Sequence, residues 1–246
     1  MAVTTAIKTK RTPERIPSAT IYYILRTGVT GLMNIFYRYR FEGSENVPMR
    51  NRLLLAFNHL HLFDSGAIVP PVPRQIIPMA ADEYRSHPFF GALLKVTGAV
   101  FVHRGEADRN ALRASYQILE RGGCLAIAPE GKRSKDAAMH PAKPGIALIA
   151  ARTRTPILPI AHWGIENIRQ WRPFKRPLCR VVIGKPFRLP EWRAGMSVDD
   201  LQRLADLVMI RVGLMLPERY RGVYAERIAA VEAGQSDELA ELVEDV

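Results

Sequence analysis

A histidine and an aspartate, His59 and Asp64, come directly after an apolar run at residues 52–57. On one helix, residues five apart are separated by about 140° around the axis, so their side chains would not share a face. They can meet if His59 lies on the turn after a strand and Asp64 lies in the first turn of the next helix. Asp64 would then accept a hydrogen bond from one ring nitrogen and leave the other free as a general base. The spacing therefore predicts a catalytic dyad that removes a proton from a substrate hydroxyl.

Two other interpretations of this cluster stay open at the level of sequence. His59, His61 and Asp64 could ligate a metal ion, although no second histidine-rich cluster and no CxxC pair accompany them. Alternatively, His59 is a hydrogen-bonded core histidine and Asp64 only caps a helix. We expect no metal site and predict the acid–base role.

A second group of polar residues, at positions 130–134, follows another apolar run. Gly131 permits a tight turn, and Lys132 and Arg133 bring two positive charges beside it. Such a turn can hold a phosphate group, although its spacing is not that of the P-loop. A basic turn can equally be an ordinary solvated surface. Arg104 ends a third short run of this kind, which begins at residue 100.

Short apolar runs alternate along the chain with segments of helical periodicity, which predicts an α/β fold with a central, mostly parallel sheet flanked by helices. The chemistry of such folds lies at the carboxyl ends of the strands, where all three groups above are found. The predicted strands cover residues 52–57, 75–79, 99–102, 124–128, 157–161 and 178–183, and the predicted helices cover 88–96, 108–120, 145–152 and 197–216.

The segment at residues 17–37 is long and apolar and carries a single charge, Arg26. A spanning helix needs about 20 apolar residues, and a central arginine disfavours insertion by roughly 2.5 to 3.5 kcal/mol. Its apolar residues recur at intervals of three and four, which is typical of an amphipathic helix. We therefore predict that residues 1–39 form a basic N-terminal arm and a helix at a membrane interface. The alternative is a helix packed on the protein's own core.

The net charge of +11 arises from 35 Lys and Arg against 24 Asp and Glu, and the acidic residues are concentrated near the C-terminus. A body this basic attracts a polyanion: nucleic acid, an anionic membrane surface or a phosphorylated substrate. We expect residues 217–246 to form a C-terminal helix and an acidic tail that is frayed from about residue 236. The two cysteines, Cys124 and Cys179, lie in apolar runs and are predicted to be unpaired core residues.

Four motifs together resemble the glycerolipid acyltransferase family, of the lysophosphatidate acyltransferase type. The resemblance covers about residues 40–216, which we take as the acyltransferase domain. The motifs, in chain order, are an NHxxxxD run at residues 58–64, a VFVHR run at 100–104, a PEGKRS run at 129–134 and an ILPIA run at 157–161.

This resemblance implies that His59 is the base and that Asp64 orients it. It also implies a glycerol-phosphate site shaped by Arg104, Glu130, Gly131 and Arg133. We expect Glu130 to orient the cations of this site. We add Asn58 and Lys132 to the expected substrate-binding residues. The chain departs from the family pattern at His103, where Asp or Asn is common, and at Lys132, where Thr is usual.

The resemblance implies transfer of a fatty acyl group from an acyl thioester to the hydroxyl of a lysophospholipid, which we expect to be lysophosphatidate, giving phosphatidate. The donor would be acyl-CoA or an acyl carrier protein, with no separate cofactor and no metal. We expect a peripheral or monotopic protein on the cytoplasmic face of a membrane, with anionic lipid as partner and no nucleic acid. The alternatives are acylation of another lipid alcohol, such as an amino-lipid or glycolipid precursor, and a non-enzymatic basic membrane-binding module.

Overall fold

The computed structural model describes residues 18–103, 108–172 and 175–244. In this part of the chain seven strands form one sheet, in the order β1-β7-β6-β2-β5-β3-β4. The strands are β1 (Arg38–Glu42), β2 (Leu53–Phe57), β3 (Ile76–Ala81), β4 (Val100–Val102), β5 (Cys124–Ile127), β6 (Ile157–Trp163) and β7 (Leu178–Ile183). The α-helices are α1 (Ala19–Phe36), α2 (Asp64–Ile68), α3 (Pro88–Val96), α4 (Arg109–Glu120), α5 (Gly145–Thr153), α6 (Val198–Gly213) and α7 (Ala225–Glu232).

The sheet is mostly parallel, as predicted. Strands β6, β2, β5, β3 and β4 all run in one direction. Strand β7 is antiparallel to β6, and β1 is parallel to β7, so these two strands run the opposite way. We did not predict β1, because four of its five residues are exposed and it has no continuous apolar run.

The chain reverses its direction of travel across the sheet next to β2. It moves from β2 outward to β3 and β4, and then returns through β5 to β6. Because parallel crossovers are right-handed, the helices of the outward and return paths cover opposite faces of the sheet. The carboxyl ends of the neighbouring strands β2 and β5 therefore form the switch point of the sheet. This is the position at which open α/β sheets bind their ligands.

The core lies around β2, which is paired on both edges. Leu53, Leu54 and Leu55 are fully buried, as expected for a central parallel strand covered on both faces. Both cysteines are buried and unpaired, which confirms that prediction. Strand β2 is thus a rigid support for the residues that follow it.

Helix α1 packs on the protein with one face and exposes the other. Tyr22 and Met33 are buried, and the guanidinium of Arg26 donates to the carbonyl oxygens of Val69 (3.4 Å) and Pro70 (2.6 Å), just after α2. The exposed face carries large apolar side chains, namely Ile21, Ile24, Leu32, Ile35 and Phe36. The helix is amphipathic as predicted, and it also packs on the core as the alternative held. Among the described residues, no helix is long and apolar enough to cross a membrane, and residues 1–17 of the predicted arm lie outside the described part.

The acidic tail is packed where we expected it to fray. Val243 forms a two-way backbone bridge with Arg188, and Leu242 is buried. The carboxylate of Glu241 pairs with Arg203 of α6. The attraction between opposite charges on α6 and on the tail explains why the tail is packed. Composition alone does not reveal this pairing.

Candidate active site

The predicted dyad is assembled at the carboxyl end of β2. Nδ1 of His59 lies 2.6 Å from Oδ2 of Asp64. His59 lies on the turn after β2, and Asp64 is the first residue of α2. Because the two residues are not on one helix, their side chains can face each other. In the described part of the chain Nε2 of His59 has no partner, and the side chain is 21% exposed. The ring therefore leaves one nitrogen free at the carboxyl end of β2.

The carboxylate of Asp64 is held rigidly because it also accepts two backbone hydrogen bonds. The N–H of Leu60 donates to Oδ2 and the N–H of His61 donates to Oδ1, each at 2.9 Å. Asp64 is 2% exposed. These donors compensate for the burial of the negative charge and fix the oxygen that faces His59. The arrangement suits an aspartate that orients an imidazole and stabilises its protonated form.

The peptide unit of His59 is clamped by the turn after β5. Its N–H donates to Oε1 of Glu130 (2.8 Å), and its carbonyl accepts from the N–H of Ser134 (2.8 Å). Oε2 of Glu130 accepts from the N–H of His140 (2.9 Å). We expected Glu130 to orient the neighbouring cations, but it is 1% exposed and both its oxygens accept hydrogen bonds from backbone N–H groups. Glu130 holds the loop that carries His59 instead.

Burial raises the pKa of Glu130 from its usual 4.5 to about 7. The two backbone hydrogen bonds oppose this rise, and the negative charges of Asp64 and Asp136 add to it. Glu130 therefore titrates near neutral pH, and it is hydrogen-bonded to the backbone N–H of His59.

Asn58 is buried against β6. Its Nδ2 donates to the carbonyl of His162 (2.9 Å) and its Oδ1 accepts from the N–H of His162 (3.0 Å). Nε2 of His162 lies 2.7 Å from the carbonyl oxygen of Asn58. Asn58 is fully buried, so it joins the ends of β2 and β6 and is not placed to contact substrate, contrary to the expectation from sequence.

The basic part of the turn is open to solvent. Gly131 adopts a left-handed conformation (φ 68°), and its N–H donates to the carbonyl of Ala128 (3.1 Å), so that N–H is used within the turn. Lys132 and Arg133 are exposed, and neither side chain has a partner among the described residues. Burial, with the charge of Arg133 as a further contribution, lowers the pKa of His61 against the opposing effect of Asp64. Arg133 is thus close enough to the dyad loop to act on its electrostatics.

The third predicted group is only partly described. Arg104 lies outside the described residues. His103 is exposed, and its ring nitrogens lie 3.2 Å from Oδ2 of Asp82 and 3.4 Å from Oδ2 of Asp108. Two carboxylates thus flank this histidine at the end of β4.

Sequence reasoning missed an exposed aromatic group beside the dyad loop. Phe63 precedes Asp64 and is 46% exposed, and its ring contacts that of Phe90 in α3. Phe90 in turn contacts Phe89, which is 67% exposed. Only the adjacent phenylalanines at positions 89 and 90 could have suggested this surface, because it forms through a contact between α3 and the residue that precedes α2. No group of His, Cys, Asp and Glu within the described ranges could hold a metal ion.

The fold and the site together define an α/β protein with a hydrogen-bonded His–Asp pair at the switch point of its sheet and a basic turn beside it. A family model, Acyltransferase, matches residues 38–163. The chain belongs to this acyltransferase family, and the resemblance found in the sequence is confirmed.

Relatives and a solved structure agree with this assignment. The chain is 27% identical over 128 residues to a 1-acyl-sn-glycerol-3-phosphate acyltransferase of Borreliella burgdorferi, covering 51% of each chain. It is 24% identical to the human 1-acyl-sn-glycerol-3-phosphate acyltransferase alpha, covering 72% of this chain and 64% of the relative. The aligned part therefore spans about half to two thirds of these relatives. The crystal structure of the 1-acyl-sn-glycerophosphate acyltransferase PlsC from Thermotoga maritima shares the fold, with a TM-score of 0.62 and 22% identity over 87% of this chain and 80% of that chain.

Proposed function

We propose that this protein transfers a fatty acyl group from an acyl thioester to the free hydroxyl of lysophosphatidate and so forms phosphatidate. The observation that carries the proposal is the 2.6 Å contact between His59 and Asp64, with Nε2 of the histidine open beside an exposed basic turn. The names of the relatives favour this acceptor over other lipid alcohols.

The dyad supplies the proton transfers of the reaction. Nε2 of His59 takes the proton of the acceptor hydroxyl as the oxygen attacks the thioester carbonyl, which contributes roughly 100- to 10,000-fold for a well-placed base. Asp64 stabilises the resulting imidazolium. When the tetrahedral intermediate collapses, the C–S bond breaks and the thiolate takes the proton from Nε2. The products are an ester and a free thiol, and no acyl-enzyme is formed.

Lys132 and Arg133 hold the phosphate of the acceptor, with Arg104 as a further ligand expected from sequence. Both described side chains are exposed and unpaired, and they lie on the turn that clamps the peptide of His59. An anionic acceptor bound to them is therefore held near Nε2. Glu130 and Asn58 act on the loop and not on the substrate.

The exposed face of α1 lies on the surface of a membrane. Ile24 is 67% exposed, and it shares this face with Ile35 at 58%. The opposite face supports the catalytic helix directly, because a Cβ atom at Gly66 of α2 would lie only 3.5 Å from Sδ of Met33. Docking of α1 thus brings the dyad to lipid headgroups without extraction of the acceptor from the bilayer. The basic residues before residue 17 would add attraction to an anionic, cytoplasmic leaflet.

An acceptor panel tests this function. Free thiol release from acyl-CoA, and from acyl carrier protein charged with the same chain, would be measured with lysophosphatidate, lysophosphatidylcholine, an amino-lipid precursor and a glycolipid precursor. We expect the fastest turnover with lysophosphatidate and no effect of a chelator. Faster turnover of an uncharged acceptor would assign the protein to another lipid alcohol. A membrane-binding module would release no thiol with any of them.

A further inference from the structure

A second basic surface lies at the same edge of the sheet, on the far side of the dyad from Lys132 and Arg133. It is an open cavity of about 770 Å³ at the end of β6 and the starts of β1 and β7. Because β1 and β7 run opposite to β6, their first residues meet the last residues of β6 at the edge that carries His59. Six cationic residues line it, and we call them the basic pocket: Arg38, Arg169, Arg172, Lys175, Arg176 and Arg219.

The positive charges of the basic pocket are not neutralised within the described residues. No carboxylate there lies within ion-pair distance of any of the six. Arg172 donates instead to the carbonyls of Arg169 (3.1 Å) and Trp171 (2.8 Å), and the guanidinium of Arg219 stacks over the ring of Tyr220 at 4.7 Å. Such a concentration of unpaired cations in a concave surface favours a bound anion.

The basic pocket is continuous with the C-terminal end of α1. The side chain of Arg176 donates to the carbonyl of Asn34 (2.5 Å). The ring of Phe36, on the exposed face of α1, contacts Trp171 edge to face at 5.9 Å. Unpaired cations and exposed apolar side chains therefore share one surface. A bilayer lipid combines the same two features, since its charged phosphate adjoins its acyl chains.

We propose that the basic pocket binds the phosphate headgroup of an anionic phospholipid in the bilayer, at a site separate from the acceptor site. This inference rests on the membrane docking of α1 proposed above. Guanidinium groups bind phosphate oxygens in pairs, and the acyl chains of the bound lipid lie beside Ile35 and Phe36. The bound lipid fixes the orientation of the protein, so that the edge of the sheet that carries His59 faces the bilayer.

The test compares two variants of the full chain that lose the same charge. The pocket variant is Arg172→Gln/Lys175→Gln. The control is Arg50→Gln/Arg121→Gln, whose residues are exposed just before β2 and β5, at the opposite edge of the sheet. Binding is measured on phosphatidylcholine vesicles with and without one part in four of phosphatidylglycerol. Turnover is measured with detergent-dispersed lysophosphatidate, and inorganic phosphate serves as a soluble competitor.

We expect the pocket variant to bind anionic vesicles about 10- to 30-fold more weakly, since a basic residue near such a surface contributes on the order of 1 kcal/mol. The control should lose about twofold or less, and both variants should keep the KM for acyl-CoA. Inorganic phosphate should displace little protein from vesicles. Equal losses in both variants, or none in the pocket variant, would overturn the proposal. A raised KM for acyl-CoA with unchanged vesicle binding would assign the pocket to the phosphates of the donor. Absence of turnover in the unsubstituted protein would refute the acyl transfer, and the vesicle result would still decide the pocket.

Discussion

The carboxylate of Glu130 accepts a hydrogen bond from the backbone N–H of His59 at 2.8 Å, although the two residues are 71 positions apart. The contact joins the turns that follow β2 and β5, which are neighbours in the sheet. It fixes the loop that carries His59, while Asp64 fixes the ring. The PEGKRS turn therefore has two parts: a buried carboxylate that positions the histidine, and exposed cations that we propose hold the phosphate of the acceptor.

This division predicts how Glu130→Gln changes the kinetics. A glutamine can accept a hydrogen bond from only one of the two backbone N–H groups, so the loop should lose its fixed position. We expect kcat to fall at least about tenfold, the equivalent of one hydrogen bond to a charged group, with the KM for lysophosphatidate nearly unchanged. Steady-state kinetics at several acceptor concentrations separates the effect on kcat from the effect on KM. A raised KM with an unchanged kcat would restore Glu130 to the substrate site.

Glu130 should also make stability depend on pH. Its pKa of about 7 in the folded protein is above its usual 4.5, so the folded state binds this proton more tightly than the unfolded state. The resulting stabilisation is present below about pH 4.5 and is lost as the pH rises to about 7, an effect of up to about 3 kcal/mol. Urea unfolding would be compared between the unsubstituted protein and Glu130→Gln, which does not titrate there. We expect the stability advantage of the glutamate to be larger at pH 5 than at pH 7.5. An advantage that grows with pH would mean that the pKa of Glu130 is not raised in the folded protein.

Arg133→Ala should weaken the binding of phosphate-bearing acceptors. Loss of a charge-assisted hydrogen bond costs roughly 1.5 to 3 kcal/mol, so we expect the KM for lysophosphatidate to rise about 10- to 100-fold. The KM for acyl-CoA should change little. Lys135→Ala is the matched control, because Lys135 is exposed two residues further along and should have little effect. If Arg133→Ala raises only the KM for acyl-CoA, the basic turn belongs to the donor site.

Substitutions on the exposed face of α1 should release the protein from vesicles. Ile24→Ser/Ile35→Ser removes two largely exposed apolar side chains, whose burial in a bilayer contributes about 2 kcal/mol or more in total. We expect about 30-fold weaker binding to vesicles and unchanged activity on a detergent-dispersed acceptor. Val198→Ser/Val223→Ser is the control, since those valines are 70% and 58% exposed elsewhere. Unchanged vesicle binding of the α1 variant would mean that another surface meets the membrane.

Those structural features that depend on the local pattern of residues could be predicted from the sequence. The apolar runs predicted six of the described strands, and the His–x4–Asp spacing predicted the dyad, because a strand followed by a short helix is the arrangement that brings His59 and Asp64 together. The helix predicted over residues 197–216 is present as α6 and begins with a capping box at Ser197 and Asp200.

What could not be predicted depends on contacts between distant segments. Nothing near Glu130 indicates that its carboxylate would bind the N–H of His59, because that contact requires β2 and β5 to be neighbours. Arg26 looked like a charge within an apolar helix, but it turns inward to two carbonyls at the end of α2. The basic pocket is likewise assembled from β1, β7 and the residues after β6 and α6.

The measurement that tests the central claim most directly follows acyl-CoA and lysophosphatidate to products in the unsubstituted protein and in His59→Ala. We predict that free thiol and phosphatidate form in equal amounts, and that His59→Ala retains the fold and loses nearly all turnover. Asp64→Asn should lower kcat strongly, because an amide can present an N–H to the ring, and His61→Ala should have a much smaller effect. Turnover by His59→Ala close to that of the unsubstituted protein, or thiol release without phosphatidate, would contradict the account.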